Sequence, residues 1–154
     1  MYKVVKSFKR YKKALKYVAA HLSPENIEEI NIVCPGADIE KELIDIAMQS
    51  AIGFFLFDAE GNPRAVGGIS ADHNVWFVVT SGLTAKEFIP WLKKSRKIMP
   101  EIMKDFSPIW GHCYEKNVLS RYWMKWNGFD FAPEDSAANY EIEGAKFIYF
   151  QKNQ

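Results

Sequence analysis

Few side chains in this sequence are spaced to move a proton. Asp72 and His73 stand together in Ala71-Asp72-His73-Asn74, Glu115 follows the apolar run Ile109–Tyr114, and Tyr122 lies in a helical stretch. A general acid or base needs a held geometry and a pKa shifted toward the working pH. Asp72, His73 and Glu115 fall at turns, so a solvated surface role is expected for each. The two thiols, Cys34 and Cys113, have no metal-ligand spacing and are expected to be reduced and buried. Thr84-Ala85-Lys86-Glu87 has the form of a capping box. A helix start can hold a phosphate on its free amides. Here the Thr84 and Glu87 side chains would occupy two of those amides. Glu87 also adds negative charge, which Lys86 offsets in part.

The elements that must position these groups follow from periodicity. Tyr2 to Val5 reads as a short strand and Phe8 to Leu22 as a helix, with Phe8, Tyr11, Leu15, Val18 and Leu22 on one face. Ser23-Pro24-Glu25 opens a brief turn, with Pro at a first helical position. Ile30 to Cys34 is apolar and β-branched, and Pro35-Gly36 breaks it. Asp38 caps a second helix to about Ser50. Strands are expected over Ile52–Asp58, Arg64–Ser70 and Val75–Thr80, with Gly67-Gly68 marking a bulge or a close backbone approach. A long helix runs from Thr84 to Phe106, and Pro90 and Pro100 should kink or split it. Ile109–Tyr114 is a strand. Asn117 to Trp126 is a short amphipathic helix that stops at Asn127-Gly128. Phe129 and Phe131 alternate as a strand, Ala132–Gly144 is a polar loop, and Ala145–Gln151 is the last strand.

The composition fits one domain over residues 1–154, since 48% hydrophobic content can fill a real core. Aromatics at 15% mean that large rings build it. Lys3, Lys6, Lys9, Arg10, Lys12, Lys13 and Lys16 put seven cations and no acid in the first sixteen residues. The net charge is only +1, so a solvated helix face is preferred to a nucleic-acid patch, and nucleic acid is not an expected partner. No segment has transmembrane length, and Met1-Tyr2-Lys3 begins no apolar leader.

The unit strand, Asn117, short helix, Gly128-Phe129, strand resembles the C-terminal half of the GNAT superfamily of N-acetyltransferases. The order of elements resembles that family over nearly the full length. The resemblance implies an α+β fold in α/β/α layers, with a mixed, twisted and splayed sheet of about six or seven strands and about four helices. It implies that acetyl-CoA or CoA, if bound, lies against the Val78, Val79 and Thr80 backbone. Ser81, Gly82 and Thr84 would then stand at the pyrophosphate, and Asn117 and Ser120 at the pantetheine arm. Three departures stand out. The phosphate loop Ser81-Gly82-Leu83-Thr84 is short and holds one Gly. The strand Val75–Thr80 lacks an acid or His for a general base. The place of the family's Tyr proton donor holds Met124, whose thioether cannot donate; Tyr122 is on another face of the helix. The catalytic residue is therefore left open, with Tyr122, Glu115 and Asp72 as weak candidates.

Ala65-Val66-Gly67-Gly68 through Ser81, and Ile109-Trp110 through Asn117, Ser120 and Gly128-Phe129, resemble more narrowly the small internal virion proteins of short-tailed phages of the T-odd type. That resemblance implies a phage-encoded protein of the host cytoplasm, packaged or not, acting in head or core assembly or in DNA ejection through a virion protein partner. A working acetyltransferase with an atypical CoA site is the second reading. A phage protein that binds a host or defence factor is the third.

Overall fold

The computed structural model describes residues 1–153. Strand β1 (Tyr2–Val5) is followed by helices α1 (Lys12–Ala20), α2 (Pro24–Val33) and α3 (Ile39–Met48). Strands β2 (Ser50–Phe57), β3 (Pro63–Ser70) and β4 (Val75–Val79) come next, then the long helix α4 (Ala85–Ile102). Strand β5 (Ile109–Tyr114), helix α5 (Val118–Trp126) and strands β6 (Asp130–Phe131), β7 (Tyr140–Ile142) and β8 (Ala145–Lys152) complete the chain.

The first four strands form an antiparallel sheet in the order β1-β2-β3-β4. The second sheet has the order β5-β8-β6, with β7 on the end of β8. Strand alternation splits the core in two. Phe54, Phe77, Val79 and Ile69 face α4 and α5, where Trp91, Leu92, Met99 and Trp123 meet them. Phe55, Val66 and Trp76 face the other way, against Phe8, Leu15, Val18, Leu43 and Ala47. The result is the expected layering of helices on both faces of a sheet.

One sheet was expected, and the strands form two ladders. Strands β4 and β5 touch through a single parallel bridge between Asn74 and Trp110, where the Trp110 amide donates to the His73 carbonyl at 3.0 Å, and then diverge. The physical reason lies at the far end of β4. There Leu22 bridges Thr80 in antiparallel sense, so the outer edge is already taken.

Other expectations shift by physics that spacing does not carry. Segment Pro24–Val33 is a helix of 10 residues and not a brief turn: Ser23 caps it, and its apolar β-branched end winds on to Val33. Phe8 is buried as expected but precedes α1, which starts only at Lys12. Pro90 and Pro100 lie inside an unbroken α4. Both are on its exposed side, where water can satisfy the freed carbonyls. The polar loop contains β7, and Glu143-Gly144, both at positive φ, turn it into β8. Gly67 marks a close approach and no bulge. Its register is regular, and a Cβ there would lie 2.7 Å from the Trp76 carbonyl oxygen.

Candidate functional site

The divergence of β4 and β5 opens a cleft of about 350 Å³. Its walls are Val75 to Val78 of β4, His112 and Cys113 of β5, Ser120 and Met124 of α5, and residues of α2 and α3. Helix α2 enters because Asn26, Glu29, Ile30 and Val33 recur at three, four and seven, which is one helix face. Glu29 and Glu42 line the cleft, and among the described residues no Lys or Arg does.

Asn117 sits where β5 passes into α5. It is buried, and its Oδ1 accepts from the Ser120 amide at 3.3 Å as the cap of α5. Its Nδ2 donates to Glu29 Oε2 at 3.0 Å. Burial pushes the Glu29 carboxyl above its ordinary range, and the Asn117 and Tyr114 hydrogen bonds pull partly back. The same burial, with the Glu29 charge beside it, pushes the Cys113 thiol up to about 12, so it stays protonated and is no nucleophile at neutral pH.

The outer edge of β4 is closed at its C-terminal end. The Val79 amide donates to Asn26 Oδ1 at 3.0 Å, and the Val79 carbonyl accepts from the Ser23 amide at 2.9 Å. The Ser81 amide donates to the His21 carbonyl at 2.8 Å, and the Thr80 amide and hydroxyl both donate to the Arg64 carbonyl. Beyond it, the start of α4 is capped as expected. The Glu87 amide donates to Thr84 Oγ1 at 3.3 Å, and the Thr84 amide donates to Glu87 Oε1 at 3.4 Å. Arg64 Nε donates to Glu87 Oε2 at 3.0 Å. Partial desolvation raises the Glu87 pKa, but Thr84 and Arg64 outweigh it and hold the carboxyl below its ordinary value. A charged carboxylate therefore stands at the helix start where an anion would bind. Ser81, Gly82 and Thr84 are exposed beside it, with Gly82 in the left-handed region.

Among the proposed site residues, Val78 and Ser120 line the cleft, with Asn117 behind it through Glu29. Met124 lines it too. The weak catalytic candidates lie outside the cleft lining. Asp72 is exposed in the β3–β4 turn, where the Ser70 hydroxyl holds its carboxyl below the usual range. Tyr122 is 56% exposed on the outer side of α5. Glu115 belongs to a neighbouring acidic cleft with Glu28, Tyr114 and Glu143. Sequence reading missed Asn26 and Glu29. Their spacing along α2 was the available signal, hidden because that segment did not read as a helix.

Solved GNAT acetyltransferase structures superpose on nearly the whole chain. One from Bacillus cereus matches at TM-score 0.61 and 11% identity, over 100% of this chain and 98% of that one. Spermidine N-acetyltransferase from Vibrio cholerae, in complex with CoA and spermine, matches at TM-score 0.61 and 13% identity, over 99% and 95%. Ribosomal-protein-S5-alanine acetyltransferase from Vibrio fischeri matches at TM-score 0.60 and 14% identity, over 99% and 92%. No protein-family model matches the chain, and no curated protein sequence does. The chain has the GNAT fold. At these identities the likeness carries the fold and leaves the reaction open. Among the described residues no helix is long and apolar enough to cross a membrane.

Glu29 gives a test of the cleft's electrostatics. Its folded-state pKa is raised, so the proton it gains stabilises the fold below about pH 4.5, and that stability is lost as pH rises through the folded value. Glu29→Gln removes the half-buried charge and keeps an acceptor for Asn117. The variant is expected to unfold at higher urea than wild type at pH 7 and at the same urea near pH 4. An unchanged midpoint at pH 7 would show that the charge is well solvated, and a lowered one that its hydrogen bonds outweigh its desolvation.

Proposed function

We propose that this protein uses a GNAT fold for binding and not for acetyl transfer. The observation that carries the reading is the closed edge of β4: Asn26 and Ser23 hold both backbone groups of Val79, where the family resemblance would lay a pantetheine arm. The charged Glu87 at the start of α4 and Met124 at the donor position support it. The mouth of the cleft also suits a protein partner. Val33, Ile46 and Tyr140 line it and are 47%, 39% and 39% exposed, an apolar rim on a site without cations. Segments 65–81 and 109–129 resemble phage internal virion proteins, which supports a virion or host protein as that partner and a phage origin.

The second reading is an acetyltransferase with an atypical CoA site, and one observation favours it. Glu29 is a half-buried carboxylate of raised pKa in the cleft, as a general base for an amine would be. Calorimetric titration of acetyl-CoA into the protein separates the two, run beside a thiol-release assay with polyamine, peptide and aminoglycoside acceptors. Binding is expected to show no saturation up to about 1 mM, a ceiling on affinity of roughly 4 kcal/mol. Micromolar binding with turnover that Glu29→Gln lowers would reverse the order.

A further inference from the structure

The near-zero net charge hides a separation of charge. Of 20 Lys and Arg, seven lie between Lys3 and Lys16, and the first acid of the chain is Glu25. The other thirteen cations stand against 19 acids, so the rest of the molecule carries a net charge of minus six. The fold gathers the seven. Tyr2 of β1 packs toward α4, so strand alternation turns Lys3 to the α1 side, where its Nζ lies 5.2 Å from the Tyr11 ring centre. Lys6, Lys9 and Arg10 ring the loop into α1. Lys12, Lys13 and Lys16 share the outer face of that helix, opposite the buried Leu15 and Val18. All seven are exposed. Lys16 approaches Glu40 at 3.9 Å, and among the described residues no other cation of the group is in an ion pair.

We propose that this β1–α1 surface binds the phosphate backbone of double-stranded nucleic acid without reading its sequence. The inference goes beyond the reading of the cleft and does not depend on it. A cluster of unneutralised like charges favours a polyanion, and a duplex carries one charge per roughly 1.7 Å of axis. Six of the seven are lysines, compact charges suited to phosphate but lacking the planar fork that reads guanine edges. From Ser7 to His21 no large apolar side chain is exposed, so the helix has nothing to seat in a bilayer.

The test is fluorescence anisotropy of a labelled duplex of about 20 base pairs at about 50 and 200 mM NaCl. Micromolar binding is expected at the lower salt, weakened about 10²–10³-fold at the higher, as four to six phosphate contacts require. Lys9→Glu, Lys12→Glu and Lys13→Glu together should weaken binding at least tenfold and flatten the salt slope by about three. Thermal melts of the variant confirm that it folds. A matched triple reversal at Lys93, Lys94 and Lys97, exposed on α4 across the sheet, carries the same change in net charge and should cost far less. No binding at the lower salt, equal losses from the two triples, or tighter binding to phosphatidylserine vesicles or polyglutamate than to the duplex would each overturn the proposal.

Discussion

Trp123→Ala is expected to destabilise the protein by about 3–5 kcal/mol, the range for deleting a fully buried large aromatic. Trp123 is 0% exposed. It stacks on Phe77 at 4.8 Å between ring centres, on Phe54 at 5.8 Å, and on Trp91 at 5.7 Å with the planes only 8° apart. These rings come from β4, β2 and α4, and Trp123 joins them to α5. Deleting it opens a cavity where four elements meet, and rigid neighbouring rings cannot collapse into it. Its Nε1 finds no protein acceptor, nor does that of Trp91. Trp123→Phe therefore loses volume without losing a hydrogen bond and should cost less than half as much. Urea denaturation of both variants decides it. A loss under about 1 kcal/mol for the alanine would place the ring at the surface.

Asn26→Ala should have the next largest effect on stability. Asn26 is 2% exposed, and its Oδ1 accepts from both the Val79 amide and the Ser23 hydroxyl. Truncation leaves those donors buried without partners, at about 1–3 kcal/mol for each group that water cannot reach. Asn26→Asp keeps an acceptor for the Val79 amide and should recover part of the loss. Equal unfolding midpoints for wild type and Asn26→Ala would mean that the edge of β4 is not held by this side chain.

Local chemistry was legible in the sequence wherever a group's partner lies within a few residues. Thr84 and Glu87 form the capping box that their spacing implied, and Asn117 caps α5. Gly128, at positive φ, ends that helix before Phe129 enters the core. The element order after α3, short β7 excepted, was legible for the same reason, because alternation and turns repeat over short windows. The site's closure was not. Asn26 meets Val79 across 53 residues, and Glu29 meets Asn117 across 88. Nothing local separates Glu29 from Glu28 beside it, which instead accepts from the Tyr114 hydroxyl. Helix α2 was obscured because Ile30, Ile32 and Val33 are β-branched, a weak helix signal that capping by Ser23 and packing override. The two ladders were hidden likewise, since the bridge between Leu22 and Thr80 joins segments on either side of three strands.

Backbone amide NMR tests the proposed closure of the β4 edge against a pantetheine arm. Acetyl-CoA is titrated to a few millimolar, roughly where binding worth 4 kcal/mol would saturate, while the Val79, Thr80, Ser81 and Gly82 amides are followed. These signals are expected to stay in place, and the Val79 and Ser81 amides, bonded to Asn26 and His21, to exchange slowly with solvent throughout. Saturable shifts centred on Val79 to Gly82, with faster exchange at Val79 as Asn26 is displaced, would contradict it and make the cleft a CoA site.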